Sequence, residues 1–226
     1  GEGEGEGEGE GEGEGEGEGE GEGEGEGELS YPPQVECVNE GVISYCSVEG
    51  EVTQSFTMNA DQQWLLRGLV KIGNGTDETA LTIEPGAKIL GEDKDSALAI
   101  LQNSKIHAEG TKQSPIVFTS ARMEGSRMAG DWGGLIIHGK APINNCDGDN
   151  CSSQSEVGFL YGGNAPTDDS GTLRYIRVEF AGSTLSIENK LDGLGLYGVG
   201  SGTTIEHLQL HRTDSDGIGI EGGLIN

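Results

Sequence analysis

Basic residues are scarce in this chain: 13 Lys and Arg stand against 40 Asp and Glu. The few cations are scattered singly, so no basic stripe exists to meet the phosphates of a nucleic acid or the headgroups of an anionic membrane. Aromatics are also scarce, at 5% of residues, while Gly is abundant at 42. That balance suits many short turns and stacked strands better than a helical bundle. No apolar run approaches the roughly 18 residues that span a bilayer. No charged-then-apolar leader opens the chain, which reads as mature or cut at its start.

What is present divides sharply. Residues 1–28 are an unbroken Gly-Glu alternation, and residues 29–226 have the mixed composition of a folded domain. Taking away the 14 Glu of the tail moves the net charge from −27 to −13, so the folded part remains acidic. The tail has no side chain to bury against the entropy lost on ordering, and it reads as a solvated acidic spacer. Docking of this segment on a partner, through cations, a basic groove or a strand edge, is the competing expectation.

The four cysteines form two close pairs, Cys37 with Cys46 and Cys146 with Cys151. Three connectivities are formally available. Local pairing closes each short loop without long-range geometry and implies an oxidising compartment. Zinc is the rival, although only Cys146 and Cys151 come near the spacing that structural zinc favours.

From residue 81 onward the chain repeats itself. Leu81 to Ile89 aligns with Leu98 to Ile106 at an offset of 17, each copy reading strand, tight turn, strand. Asp192 to Leu196 recurs as Asp216 to Ile220 at an offset of 24, and Leu173, Ile176 and Val178 match Ile205, Leu208 and Leu210. Short alternating strands at coil spacing predict a β-solenoid, in which no coil buries its inner face alone. Ile83, Ile89, Ile100, Ile106 and Val117 are the expected interior stack. A β-sandwich also contains many short strands but does not predict near-identical repeats at this spacing.

The resulting organisation is a tail at 1–28, an irregular N-terminal cap region at 29–80, and β-helix coils at 81–226 that continue beyond the chain or meet another subunit. The cap is expected to cover the apolar floor and open strand edge of the first coil.

Five segments together resemble a known family: residues 81–91 (LTIEPGAKILG), 106–120 (IHAEGTKQSPIVFTS), 130–144 (GDWGGLIIHGKAPIN), 171–182 (GTLRYIRVEFAG) and 216–223 (DGIGIEGG). The likeness is to large right-handed parallel β-helix surface proteins, often lipoproteins, of Gram-negative bacteria. The resemblance implies an all-β, right-handed parallel β-helix located outside the cell or on its outer surface, with a lipid anchor as the one route to a membrane. It carries no common activity onto these residues.

Candidate chemistry is of three kinds. Asp214 and Asp216, with Asp192 at the equivalent position one coil earlier, would place carboxylates on adjacent coils about 4.8 Å apart, close enough for glycoside hydrolysis. His211 and Arg212 stand beside them as proton-transfer or carboxylate-binding groups. The competing reading makes Asp-Gly a turn signal repeated once per coil. Asn144, Asn145, Asp147, Asp149 and Asn150 crowd oxygen ligands for calcium into the second cysteine loop, though a disulfide-closed polar loop needs no ion. Trp132, among Gly130, Gly133 and Gly134, offers a flat face to a sugar or packs on a neighbouring coil. His107 and His138 read as ordinary outward or turn residues.

The function expected from these features is binding or scaffolding of a surface ligand, polysaccharide or protein, with no cofactor other than the calcium considered above. A polysaccharide lyase or hydrolase is the first alternative. A filament subunit, self-associating through an uncapped coil end, is the second.

Overall fold

The computed structural model describes Gly1 and residues 31–40, 43–144, 151–184 and 190–225. The Gly-Glu tail beyond Gly1 lies outside the described residues. No helix occurs among the described residues, and fourteen strands join one hydrogen-bonded network while two form a small separate ladder. The fold is a right-handed parallel β-helix with three faces.

The first face stacks β3 (Phe56–Met58), β5 (Ala80–Ile83), β8 (Lys105–Glu109) and the first halves of β13 (Gly171–Glu179) and β15 (Thr204–His211). The second stacks the first halves of β2 (Ile43–Val52) and β4 (Gln63–Ile72) on β6 (Lys88–Gly91), β9 (Ile116–Ser120) and the second halves of β13 and β15. The third stacks the second halves of β2 and β4 on β7 (Ala97–Ile100), β10 (Leu135–His138), β14 (Leu194–Tyr197) and β16 (Ile218–Glu221). Every rung in these faces is parallel.

Alternation along each strand sends every second side chain inward, where it meets its equivalent in the next coil. One such column runs Val52, Ile72, Ile100, Ile137, Leu196 and Ile220, and another runs Trp64, Ile89, Phe118, Val178 and Leu210. All are buried until the last described coil, where Ile218 and Ile220 are 43% and 60% exposed. Outside, Arg174 bridges Glu109 at 3.0 Å and Glu206 at 2.9 Å across three coils. Tyr175 and His207, both with positive φ, stack their rings at 4.2 Å where the first face turns into the second.

At the N-terminal end, β1 (Val35–Glu40) pairs antiparallel with β2 and covers its outer edge. Cys37 lies opposite Cys46 in that ladder and is joined to it by a disulfide, with Cα atoms 4.0 Å apart. Zinc is thereby excluded at this pair. Cys151 is also disulfide-bonded, and Cys146 lies outside the described residues.

Several expectations change. The offset of 17 relates two different corners, because Leu81 stacks between Phe56 and Ile106 at 25 residues, whereas Leu98 stacks between Val70 and Leu135. Both corners present the same strand-turn-strand alternation, which is why they align. The offset of 24 and the match of 173–178 to 205–210 are true coil registers. Parallel stacking already begins at Tyr45, well before residue 81. Val117 points outward between Lys88 and Arg177, and its neighbours Ile116 and Phe118 fill the interior. The slip of one position moves a whole strand to the opposite face.

This register is testable by paired substitutions. Ile106→Asp places an unpaired charge in the stack and should cost about 4 kcal/mol or more, whereas Val117→Asp, flanked by two cations, should change stability by less than about 1 kcal/mol. Denaturant melts of the two variants decide it, and equal losses would contradict the register.

Candidate functional site

Coils differ in length because the chain leaves the stack at corners. The largest excursion, residues 139–170, lies between β10 and β13 and folds back as a flap over the outer side of the third face. It contains the two-strand ladder of β11 (Ser153–Gln154) and β12 (Leu160–Tyr161). Tyr161, with Ile143, Val157 and Phe159, packs on Leu69, Ala97, Ala99, Ile136 and Tyr197, which face outward from four successive coils. Small residues at 97 and 99 let the flap approach closely. Gln102 pins it by donating from Nε2 to the carbonyls of Gly139 and Gly162, each at 2.9 Å.

His138 takes the outward strand position expected for it, but the flap encloses it at the centre of this contact, leaving it 1% exposed. Its Nδ1 lies 3.1 Å from the Ile100 carbonyl, which can only accept, so Nδ1 carries the proton. Nε2 then accepts from the Ser155 hydroxyl at 2.7 Å. The ring stacks on Tyr197 and meets Phe159 edge-on. Burial lowers its pKa to about 4, against smaller opposing effects of the Ile100 carbonyl and Glu156. Tyr197 hydrogen-bonds Glu156 of the flap, and burial followed by that carboxylate raises its pKa, keeping the phenol a donor.

Where the flap meets the corner from the third face to the first, a surface groove opens. One end, with a volume of about 260 Å³, is lined by Asn74, Thr76, Leu101, Gln102, Phe159 and Leu160. The other, of about 460 Å³, is lined by Thr76, Glu78, Asn103, Lys105, Lys140, Asp168 and Asp169, so Thr76 belongs to both. Lys105 bonds Asp169 at 2.7 Å, and Lys140 donates to Asn103 at 2.6 Å with Asp168 at 4.0 Å. The first end is mixed polar and apolar, and the second is lined by polar and charged residues.

The carboxylates singled out from sequence lie elsewhere, around the corner from the second face to the third. Asp192 and Asp216 do meet: Asp192 accepts from the Ser215 hydroxyl at 2.9 Å and from the Asp216 backbone, and its side chain lies over Gly219. Burial raises the Asp192 pKa, and the Asp216 and Glu156 charges add to the rise. Asp214 instead faces Lys190 at 3.5 Å. His211 rests edge-on against Phe180, and exposed Arg212 takes a positive φ at the corner.

Trp132 cannot present a face to a sugar. It is fully buried, packs where a side chain at Gly91 would stand, and donates from Nε1 to the Glu179 carbonyl at 2.8 Å. Asn145, Asp147, Asp149 and Asn150, considered for calcium, lie outside the described residues, and Asn144 is exposed beside them. Among the described residues no group of three or more His, Cys, Asp or Glu is placed to hold a metal. His107 is half-buried on an outward position of β8. The flap and its groove were missed in the sequence, although the jump from 25 residues between Leu81 and Ile106 to 65 between Ile106 and Gly171 marks the insertion.

A family model described as a pectate-lyase-like beta helix domain matches residues 50–226. No curated protein and no solved structure matches the chain.

The His138 contact predicts how flap attachment depends on pH. The folded pKa lies below the unfolded value of about 6.5, so the unfolded chain takes up the proton first. The contribution from neutral His138 is complete above pH 6.5 and is lost as pH falls towards 4, by at most about 3 kcal/mol. Melting temperature across this window should fall more steeply for the parent than for His138→Gln. Parallel curves would contradict the assignment.

Proposed function

The chain belongs to the pectate-lyase-like beta-helix domain family, and on that footing we propose that it is a polysaccharide-binding protein without chemistry of its own. The groove beside the flap carries this reading. It joins an apolar strip, from Leu101, Phe159 and Leu160, to a row of donors and acceptors on a rigid coil stack. Sugar rings have one C–H-rich face and a rim of hydroxyls, and a site of that composition meets both. Rigidity matters because a preformed groove loses little entropy when it is occupied.

The Cys37–Cys46 disulfide favours an oxidising location, outside the cell or on its surface. Attachment there through a lipid anchor belongs to the same proposal and rests on the family resemblance alone.

One observation favours the enzyme reading. Asp192, with its raised pKa, sits beside Asp216, and Glu156 and Tyr197 contribute to the same electrostatic neighbourhood. A carboxyl whose pKa is raised beside a second carboxylate is the arrangement that acid catalysis uses. Here, however, the Asp192 carboxylate already receives the Ser215 hydroxyl and the Asp216 N–H, which tie β14 to the coil of β16. Asp214 is occupied by Lys190. These contacts give the carboxylates a structural role.

Binding and cleavage separate the two readings. Affinity electrophoresis through gels containing a panel of soluble glycans should retard the protein, with Leu160→Asp weakening retardation by ~tenfold. Overnight incubation should release no reducing or unsaturated ends. Cleavage abolished by Asp192→Asn would overturn the binding-only reading.

A further inference from the structure

The groove's charge pattern restricts what kind of glycan it takes. Its polar end presents two ammonium groups, Lys105 and Lys140, and three carboxylates, Glu78, Asp168 and Asp169. Lys105 is held by Asp169 at 2.7 Å, and Glu78 and Asp168 act on the same ammonium. The Asp169 hydrogen bond raises the Lys105 pKa. Burial alone would raise Asp169, yet Lys105 and the Gly171 N–H outweigh it and bring it down. Both shifts have the sense of a formed ion pair. Lys140 is engaged by Asn103 and lies 4.0 Å from Asp168. Both ammonium groups already have acceptors within the site, and Glu78 leaves the end with one excess negative charge.

Resting on the groove reading above, we infer that this site takes a neutral polysaccharide and discriminates against uronic-acid polymers. An anionic chain would have to compete with Asp168 and Asp169 for the lysines and approach Glu78, inside a folded part whose net charge is already −13. Neutral hydroxyls face no such conflict. Each both donates and accepts, so it can add to an ion pair without breaking it.

Geometry supports a chain over a single sugar. The lining comes from successive turns of the helix: Asn74 to Glu78 before β5, Leu101 to Asn103 with Lys105 at the start of β8, and Lys140 after β10 with Asp168 and Asp169 before β13. Coil spacing is about 4.8 Å, comparable to the length of one sugar residue, so a glycan running along the helix axis would meet similar corner groups at each step. Phe159 and Leu160 at the apolar end would then lie against a ring face.

Binding of a soluble neutral glucan and of polygalacturonate, measured on the full chain by affinity electrophoresis and calorimetry at one salt concentration, tests the inference. The parent protein should bind the glucan at least ~tenfold more tightly. Asp168→Asn with Asp169→Asn keeps an acceptor oxygen for the Ser170 hydroxyl and the Gly171 N–H while freeing both lysines. It should gain polygalacturonate binding that high salt removes. Glu78→Lys, at an exposed position, should shift preference the same way if the double variant folds poorly. Parent protein preferring polygalacturonate would overturn the charge argument while leaving the groove reading intact. Failure to bind any glycan would overturn both.

Discussion

Each coil of this molecule has two open edges, and only the coils above and below can satisfy them. Backbone pairing and inward side-chain columns are therefore one constraint expressed twice. When Ile72, Ile100, Ile137 and Leu196 fall into one column, the parallel rungs of their strands fall into register with them. Burial of these columns supplies the hydrophobic term, and the rungs prevent the buried backbone groups from being left unpaired. At the N-terminal side the antiparallel strand β1, locked by Cys37–Cys46, satisfies the edge of β2 that no further coil covers.

The same constraint decides where function can reside. Residues within the faces are committed to stacking, so length variation is confined to corners. The excursion at 139–170 exploits this freedom. It returns across the outer side of the third face and is held by Gln102, His138 and Tyr197, all of which belong to the coil stack or its corners. A repeating surface thus acquires one place that differs from the rest. The Asp-Gly turns at 192 and 216 remain part of the repeat, which is why the Asp192 carboxylate bonds Ser215 and the Asp216 backbone of the next coil.

Fold and site were unequally legible in the sequence. Asp192 to Leu196 against Asp216 to Ile220 revealed a true coil because no insertion separates the two strands of the third face. The alignment of Leu81 with Leu98 matched two different corners along one turn of the helix, β5 to β6 and β7 to β8, since apolar alternation looks alike at every corner. Val117 illustrates a related limit: in the run Ile116, Val117, Phe118 all three are apolar, and pattern alone does not say which points inward. Trp132 is buried because Gly91, forty-one residues earlier, leaves space for it, a relation that no local motif carries. His138 likewise needed the flap above it before its environment had meaning. Phe159, Lys140 and Asp168 come together only through the path of the insertion.

A polysaccharide lying in the flap groove is the central claim, and hydrogen exchange of backbone amides with and without a soluble neutral glucan tests it most directly. Exchange should slow at residues 74–78, 101–105 and 158–160, and stay unchanged around Asp192, Asp214 and Asp216. Protection confined to those carboxylates, with none in the groove, would contradict the account.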